Sequence, residues 1–383
     1  MSSFTRRTRP LRHSRRVRRH NWLRAGSCVL VGALAFTGTG AWAMYNELQG
    51  NINSGYDLDD LRAQSQSQEP ETAEPTTPQA TPTPVDPKAG QAINILAIGS
   101  DDRTGENGDI GGYFEGARAD TTLLVHISAD RTRIDVVSIP RDLLADVPSC
   151  QYNDDGDMSR PQSAGTGDRG TRFNAAFATG GQSGDVGYGA VCAALTVEQP
   201  SGVTIDDFAV VDFVGFERMV DAIGGVPMTI AEPMHDDLAN LHLEAGDQVL
   251  NGQQALALAR ARKSLGDGSD IGRIDRQQEL LTAMVTQLLT KRNLLTDTPG
   301  LIQFLDAVTS SLTTSKGLGD LWTIAGLATS LSGVSTENIN FSTIPFDYSG
   351  NVVVQNDDAD EVWQRLIADL PVEDDVPVTT TTG

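Results

Sequence analysis

Short apolar runs alternate with helical patterns of apolar residues over most of the chain. A short apolar run bounded by turn residues is typical of a buried strand, and apolar residues at helical spacing are typical of an amphipathic helix. This alternation predicts an α/β fold with a largely buried sheet flanked by helices. The predicted strands are Ile93–Ile98, Thr122–Ile127, Ile134–Ile139 and Ile339–Ile344. The predicted helices are Arg172–Thr179, Gly189–Glu198, Phe213–Ala222, Gly252–Lys263, Arg276–Lys291, Pro299–Leu312, Leu318–Leu331 and Ala359–Ile367.

The N-terminal segment has the pattern of a membrane anchor. Residues 1–24 contain nine arginines and no acidic residue, and residues 25–44 contain no charged residue. Twenty helical residues rise about 30 Å, the thickness of a bilayer core, and a basic flank stays in the cytoplasm. We therefore expect a cytoplasmic tail (1–24), a transmembrane anchor (25–44) and an extracytoplasmic remainder. The alternative is a cleaved signal peptide, because Ala41-Trp42-Ala43 resembles a cleavage site.

Two polar stretches bound the predicted folded domain. Residues 45–91 are expected to form a stalk and a disordered linker, since much of this stretch is rich in Pro, Thr, Gln, Ser and Glu. Residues 371–383 are expected to form a disordered tail. The extracytoplasmic domain is then 92–370, and Asp102–Gly116 and Asp154–Gly170 are predicted to be surface loops within it.

The charge balance disfavours one class of partner. The formal net charge is -22, and beyond residue 44 there are 20 basic residues against 51 acidic ones. Such a domain repels nucleic acid, so we expect no nucleic-acid partner.

Cysteine content predicts a disulfide. Cys28 lies in the predicted anchor, and Cys150 and Cys192 are the only cysteines beyond it. An even pair in an exported domain favours a Cys150–Cys192 bond, with two unpaired thiols as the alternative.

Cations are concentrated in one segment of this acidic chain. Arg260, Arg262, Lys263, Arg273 and Arg276 fall within seventeen residues. Because the planar fork of arginine matches phosphate oxygens, the cluster predicts a phosphate or pyrophosphate site, and a solvated helix face is the alternative. An apolar stripe at helical spacing follows, either as ordinary core or as one wall of a slot for a lipid chain. Its members are Leu280, Leu281, Met284, Val285, Leu288 and Leu289.

Charged residues also gather at the ends of the predicted strands. Asp101 and Arg103 follow the first strand, Arg118 and Asp120 precede the second, and Arg141 follows the third. Ligand sites favour such strand-end loops in α/β sheets. Paired carboxylates beside arginines suit a Mg²⁺ ion shared with a diphosphate, because Mg²⁺ takes one or two carboxylates and completes its shell with phosphate oxygens and water.

Several segments, in this order, resemble the LytR–CpsA–Psr family. They run from Asn94 to Glu279 and are NILAIGSDDR, RADTTLLVHI, VVSIPRDL, RFNAAFATGG, TVEQPSGVTIDDFAVVDFVGFERMVDAIGGV, LNGQQALALARARKS and GRIDRQQE. The resemblance implies a mixed central sheet flanked by helices. It also implies a protein anchored outside a Gram-positive bacterial membrane, which takes a glycopolymer from a polyprenyl-pyrophosphate carrier and attaches it to peptidoglycan by a phosphodiester link.

By position, the resemblance implies roles for individual residues. Asp101 and Asp120 match metal-coordinating aspartates, with Mg²⁺ as the ion and Mn²⁺ as an alternative. Arg141 matches the arginine most closely tied to catalysis, and the two aspartates are assigned to the catalytic site with it. Arg172 stands where many members have lysine. The implied substrate-binding residues are Arg103, Arg118, Arg172, Arg260, Arg262, Arg273, Arg276 and Gln277.

The expected function is therefore Mg²⁺-dependent phosphotransfer from a polyprenyl-pyrophosphate-linked glycopolymer to a muramic acid hydroxyl of peptidoglycan. One alternative is a polyprenyl-pyrophosphate hydrolase. The other is a non-catalytic regulator of envelope assembly that binds the carrier. The identity of the glycopolymer, the general base and the oligomeric state stay open.

Overall fold

The structure is a computed structural model that describes residues 42–65, 86–101, 117–237, 239–261, 270–290, 298–310 and 312–372. Among these residues, no helix combines the length and apolarity needed to cross a membrane. The predicted tail 1–24, most of the anchor 25–44 and the loop 102–116 lie outside the described residues.

Strands of the described segments form one large sheet and three two-stranded ones. The strands are β1 (Asn53–Tyr56), β2 (Ile93–Ser100), β3 (Ala119–Ile127), β4 (Ile134–Ser138), β5 (Asp207–Val211), β6 (Val226–Ile230), β7 (Met234–Asp236), β8 (Leu241–Leu243), β9 (Gly246–Leu250), β10 (Leu312–Ser315), β11 (Ile339–Thr343), β12 (Phe346–Ser349) and β13 (Val352–Gln355).

The large sheet has seven strands in the order β1-β10-β5-β2-β3-β4-β11. The pairs β1–β10, β5–β2 and β4–β11 are parallel. The pairs β10–β5, β2–β3 and β3–β4 are antiparallel. The sheet is therefore mixed, and the expected α/β fold with a mixed central sheet flanked by helices is confirmed.

The helices of the described segments connect these strands. They are α1 (Leu58–Ser65), α2 (Asn174–Gly180), α3 (Val186–Ser201), α4 (Phe213–Ala222), α5 (Gly252–Arg260), α6 (Asp270–Thr290), α7 (Thr298–Thr309), α8 (Leu321–Ser330) and α9 (Asp358–Ile367). Residues 42–51 are also helical.

Two groups of buried side chains form the core. The larger group joins the sheet to helix α3, most of whose residues are buried, and includes Leu96, Leu124, Phe177 and Phe208. The smaller group joins α4, α5 and α6 to the paired strands β6–β9 and β7–β8. The edge of the sheet where β2, β3 and β5 approach α4, α5 and α6 is the place where the cavities described below lie.

Local capping sets where the helices beside the site begin. Asp212 accepts a hydrogen bond from Gly215 N over 2.7 Å and starts α4. Asn251 and Gln254 form a capping box at the start of α5, with each side chain bonded to the backbone of the other residue. These interactions satisfy amide groups that a helix start otherwise leaves unpaired. The box therefore determines the start of the helix whose last residue is Arg260.

The folded unit begins well before residue 92, which corrects the expected stalk and linker (45–91) only for the described residues 48–65 and 86–91. Leu48, Ile52 and Leu61 are buried, and β1 pairs with β10 at the sheet edge. A stretch with few apolar residues is stabilised here by tertiary pairing, a contribution that local composition does not reveal. Residues 66–85 lie outside the described residues.

Cys150 and Cys192 form a disulfide in the structure, with Cα atoms 5.5 Å apart. The bond ties the segment after β4 to the middle of α3. Because it joins residues 42 apart in sequence, it stabilises the fold by about 4 kcal/mol in the chain-entropy description.

Candidate active site

A β-bulge presents Asp120. Gly99 pairs with Thr121, whereas Ser100 pairs with Ala119, so Asp120 is the extra residue between them. A bulge interrupts the ladder and re-aims a side chain. The Asp120 carboxylate is 25% exposed and lines two adjoining cavities, one polar and one apolar.

Asp101 lies beside this bulge, directly after β2. Its backbone N donates to Arg118 O over 3.0 Å, and Arg118 N donates to Asp101 Oδ1 over 2.6 Å. These bonds continue the β2–β3 pairing by one step. The structure therefore brings the two predicted metal-binding aspartates to the same edge of the sheet, where both line the polar cavity.

The loop after β4 places Arg141 beside Asp120. Arg141 Nη1 donates to Asp120 Oδ1 over 2.9 Å. Asp142 lies between two cations, with Oδ2 3.4 Å from Arg141 Nε and Oδ1 3.1 Å from Arg172 Nε. The backbone N of Asn174 donates to Arg141 O over 3.1 Å, which fixes the start of α2 against the arginine. Arg141 and Arg172 are distant in sequence, but both form an ion pair with the carboxylate of Asp142.

The polar cavity has a volume of about 350 Å³, and the formal charges of its lining cancel. Three arginines face three aspartates, so the formal charge of the lining is zero. Its lining residues are Asp101, Arg118, Asp120, Arg141, Asp142, Arg172 and Asn174.

The apolar cavity has a volume of about 490 Å³ and meets the polar one at Asp120. Its walls come from the ends of β2, β3 and β5 and from α4, α5 and α6. A slot of this size and apolar character suits a hydrocarbon chain. Its apolar side chains are Ala97, Ile98, Leu123, Val211, Phe213, Phe216, Met219, Ala239, Leu256, Ala259, Leu280, Leu281 and Met284.

Arg260 places a cation on the wall of the apolar cavity. Its guanidinium carbon is 4.5 Å from the centroid of the Phe213 ring, which is a cation–π distance. Burial raises the pKa of the Glu217 carboxyl, and the negative charge of Asp221 raises it further. The positive charge of Arg260 partly offsets this rise. The Phe213 ring therefore positions the Arg260 guanidinium at the end of α5, where its N–H groups can bind an anion.

Gln277 and Arg276 fix the chain that follows Arg260. Gln277 Nε2 donates to Ala259 O over 3.0 Å, and Arg276 Nη2 donates to Ala261 O over 2.8 Å. Gln277 is 9% exposed and lines the apolar cavity. The structure therefore gives both residues a positioning contact that the sequence did not predict.

The remaining predicted residues divide between described and undescribed parts of the chain. Arg103 and Arg262 lie outside the described residues, and so does the side chain of Arg273. From the apolar stripe, Leu280, Leu281 and Met284 line the cavity, whereas Leu288 is 43% exposed.

Sequence reasoning missed two residues that the structure brings into the polar cavity, Asp142 and Asn174. The available signal for Asp142 was its position directly after Arg141, a residue already noted at a strand end. Asn174 follows Arg172 by two residues, but nothing in its spacing predicts that α2 packs against Arg141.

The donor set of the polar cavity fits a hard divalent cation. Asp101 and Asp120 supply carboxylate oxygens, the ligand type that Mg²⁺ prefers. The three arginines and three aspartates of the lining leave it without net formal charge, so one divalent cation would give the site a net charge of +2.

Comparison with known proteins gives the family. The LytR_cpsA_psr family model matches residues 58–368. The chain is similar to a probable cell wall biosynthesis protein, LcpB, of Corynebacterium glutamicum, with 33% identity over 271 residues that cover 68% of this chain and 57% of the relative. It is also similar to the polyisoprenyl-teichoic acid–peptidoglycan teichoic acid transferase TagV of Bacillus subtilis, with 32% identity over 184 residues that cover 46% of this chain and 40% of that protein.

The fold is similar to that of a LytR-Csp2A-Psr enzyme from Actinomyces oris, with a TM-score of 0.52 and 22% identity over 75% of this chain and 93% of that one. The chain spans just over half the length of the first curated relatives that it matches. Because the family model covers most of the sequence, the chain belongs to the LytR_cpsA_psr family, as the sequence motifs indicated.

Proposed function

We propose that this protein is a phosphotransferase that moves a glycopolymer from a polyprenyl-pyrophosphate carrier to peptidoglycan. The observation that carries the proposal is the junction at Asp120, where an apolar cavity of about 490 Å³ meets a polar one of about 350 Å³. An amphiphile with a hydrocarbon chain and a diphosphate headgroup matches this pair of cavities. The name of the relative TagV, a transferase of teichoic acid to peptidoglycan, supports the same class of reaction.

The residues have separable tasks in this proposal. The apolar side chains of α4, α5 and α6 hold the prenyl chain, and Arg260 meets the diphosphate from the end of α5. Arg118 and Arg172 line the polar cavity and neutralise charge on the headgroup. Arg141 stabilises the negative charge that develops on the reacting phosphoryl oxygens, because preorganised donors are worth most where charge develops. Arg103, Arg262 and Arg273 are assigned to the same headgroup from the sequence motifs.

Asp101 and Asp120 would hold Mg²⁺, or Mn²⁺ in its place. The ion would supply charge neutralisation of the diphosphate, the main requirement of phosphoryl transfer together with positioning. The zero formal charge of the cavity lining supports a need for the cation.

The proposed reaction exchanges one phosphorus–oxygen bond for another. A muramic acid hydroxyl attacks the phosphorus nearest the glycopolymer and forms a phosphodiester. The bond from that phosphorus to the bridging oxygen breaks, and the hydroxyl proton is released. Polyprenyl phosphate leaves. If water replaces the sugar hydroxyl, the same site becomes a hydrolase.

We also propose an extracytoplasmic location with a single-pass anchor. The nine arginines of residues 1–24 and the uncharged residues 25–44 support this placement. The anchor would keep the apolar cavity near the membrane in which a polyprenyl carrier resides.

The experiment uses the full chain in detergent with a polyprenyl-pyrophosphate glycan, a peptidoglycan fragment and Mg²⁺. Mass spectrometry of the fragment should show a gain equal to the glycan plus one phosphate. An Arg141→Ala variant is the matched control for contaminating activities. An unchanged fragment mass with the wild-type chain, while the carrier binds and stays intact, would favour a regulator over a transferase.

A further inference from the structure

Two histidines face each other on the outer side of the β7–β8 pair. His235 pairs directly with His242 in the antiparallel register, and their ring centroids are 4.2 Å apart. The two Nδ1 atoms are 2.5 Å apart. At this distance the two Nδ1 atoms share one proton, so both nitrogens are directed at the same position between the rings.

A carboxylate orients one of these rings. His235 Nε2 is 2.9 Å from Asp237 Oδ1. A histidine that binds a metal through one nitrogen commonly donates its other N–H to a carboxylate, which fixes the tautomer and the ring orientation. In the same way, the ion-pair contact between His235 Nε2 and Asp237 Oδ1 favours a lone pair on His235 Nδ1, the nitrogen that lies 2.5 Å from His242 Nδ1.

Among the described residues, this is the cluster of at least three candidate metal-ligating side chains that lie within ligand reach of one another. All three members are exposed, so an ion can reach them. Imidazole nitrogen suits Zn²⁺, Cu²⁺ and Ni²⁺, whereas Mg²⁺ prefers oxygen. The chemistry therefore differs from that of the Asp101–Asp120 pair.

We propose that His235 and His242 bind one Zn²⁺-class transition-metal ion through their Nδ1 atoms, with Asp237 as the orienting partner and water in the remaining positions. The ion displaces the proton shared by the two rings into solvent. The Nδ1 atoms, 2.5 Å apart in the structure, then separate to about 3 Å, because each Zn–N bond is about 2.0 Å. This site is independent of the proposed phosphotransfer.

Strand β7 and the turn that follows it contribute to the wall of the apolar cavity. Asp236 is 5% exposed and Ala239 is 8% exposed, and both line that cavity. The burial pattern thus alternates, with His235 and His242 outward and their neighbours Asp236 and Leu241 inward. A metal bound on the outer side joins β7 to β8 and holds this part of the wall in place.

The test measures Zn²⁺ binding to the full chain in detergent, prepared without a polyhistidine tag. Excess Mg²⁺ is added to occupy sites made of carboxylate oxygens. Equilibrium dialysis then measures the stoichiometry and the affinity of Zn²⁺ binding. We expect the wild-type chain to bind one more Zn²⁺ than His242→Ala. Asp237→Asn should keep the stoichiometry and weaken binding by about tenfold, since loss of an orienting partner typically costs about 10–100-fold.

Hydrogen exchange provides a second readout. Zn²⁺ should slow exchange of the backbone amides of β7 and β8 in the wild-type chain and leave His242→Ala unchanged. Circular dichroism confirms that each variant is folded, and His235→Gln is the second variant if His242→Ala fails that control. Equal Zn²⁺ stoichiometry and affinity in the wild-type chain and a folded histidine variant would overturn the site. Binding without slower exchange would overturn its effect on the cavity wall.

Discussion

Arg141 Nη1 donates a hydrogen bond of 2.9 Å to Asp120 Oδ1, which joins the proposed catalytic cation to a proposed metal-binding carboxylate. The two residues come from different strand ends, 21 positions apart. Asp120 is itself presented by a bulge. The orientation of Arg141 therefore depends on the same carboxylate that would hold the ion, so the two proposed tasks are linked.

Arg141→Ala should lower the transfer rate far more than it lowers carrier affinity. Loss of one preorganised donor to developing charge commonly costs about 10²–10³ in rate. Arg141→Lys should recover only part of the rate, because an ammonium does not reproduce the planar fork. Binding and single-turnover rates measured separately check this. Arg260→Ala is the comparison variant, and it should lower carrier affinity more than it lowers the transfer rate. Equal losses in affinity and rate for Arg141→Ala would assign Arg141 to substrate binding instead of catalysis.

Replacing either aspartate with asparagine should separate metal binding from arginine positioning. Asp101→Asn should raise the Mg²⁺ concentration needed for half-maximal activity, with most of the rate recovered at high Mg²⁺. Asp120→Asn should not recover, because it also weakens the contact that orients Arg141. Mg²⁺ titrations of turnover for both variants test this. Full activity of both variants in the presence of a chelator would show that the metal assignment is wrong.

Filling the apolar cavity should shorten the carrier that the protein can bind. Ala259 lines the cavity, so Ala259→Leu would exclude about three chain carbons, each worth about 0.8 kcal/mol when buried. Affinity for a long-chain carrier should fall roughly fiftyfold. A short-chain carrier with the same headgroup should lose much less. Gln253→Leu, at an exposed position of the same helix, is the matched control; equal losses for both chain lengths would argue against a prenyl site.

Asp369 should make stability depend on pH. Burial raises the pKa of its carboxyl, but hydrogen bonds from Ala129 N and His126, together with the nearby charge of Arg133, outweigh burial and leave the pKa lowered. A carboxyl with a lowered folded-state pKa stabilises the fold above its unfolded value of about 3.9, and this contribution is lost as the pH falls through the folded-state value. Asp369→Asn should therefore cost about 1–3 kcal/mol at pH 7 and progressively less below about pH 4.

Urea unfolding of the wild type and Asp369→Asn at several pH values measures that difference. Asparagine tolerates the positive φ of 53° at this position, so backbone strain does not obscure the comparison. Asp347→Asn, at an exposed position, is the control. A penalty that stays constant from pH 7 to pH 3 would show that the charge of Asp369 is not the cause.

Apolar-rich segments predicted four strands of the large sheet, and the structure adds strands that the sequence did not predict. β2, β4 and β11 match the predicted runs to within two residues at each end, whereas β1 and β10 contain few large apolar residues. β5 was missed although it lies beside β2 in the centre of the sheet and contains the apolar run Phe208–Val211. Asp207 is 6% exposed and accepts a hydrogen bond from Ser315 Oγ over 2.7 Å, a long-range contact that a strand pattern does not reveal.

For the site, sequence motifs identified the charged residues but not their pairing. Asp101, Asp120 and Arg141 were each noticed as strand-end residues, and the structure brings them into one cavity. The role of Asp142 between two arginines depends on how α2 packs, which no local pattern encodes. The bulge at Asp120 is likewise a property of the strand pairing rather than of one strand.

The most direct test of the proposed phosphotransfer follows the phosphorus atom nearest the glycopolymer. The full chain is incubated with Mg²⁺, a peptidoglycan fragment and a carrier that carries radioactive phosphorus at that position only. The account predicts that the label moves into the peptidoglycan fragment together with the glycan, and that unlabelled polyprenyl phosphate is released. Label that stays in the intact carrier, or that appears as a free glycan phosphate with none in the fragment, would contradict it.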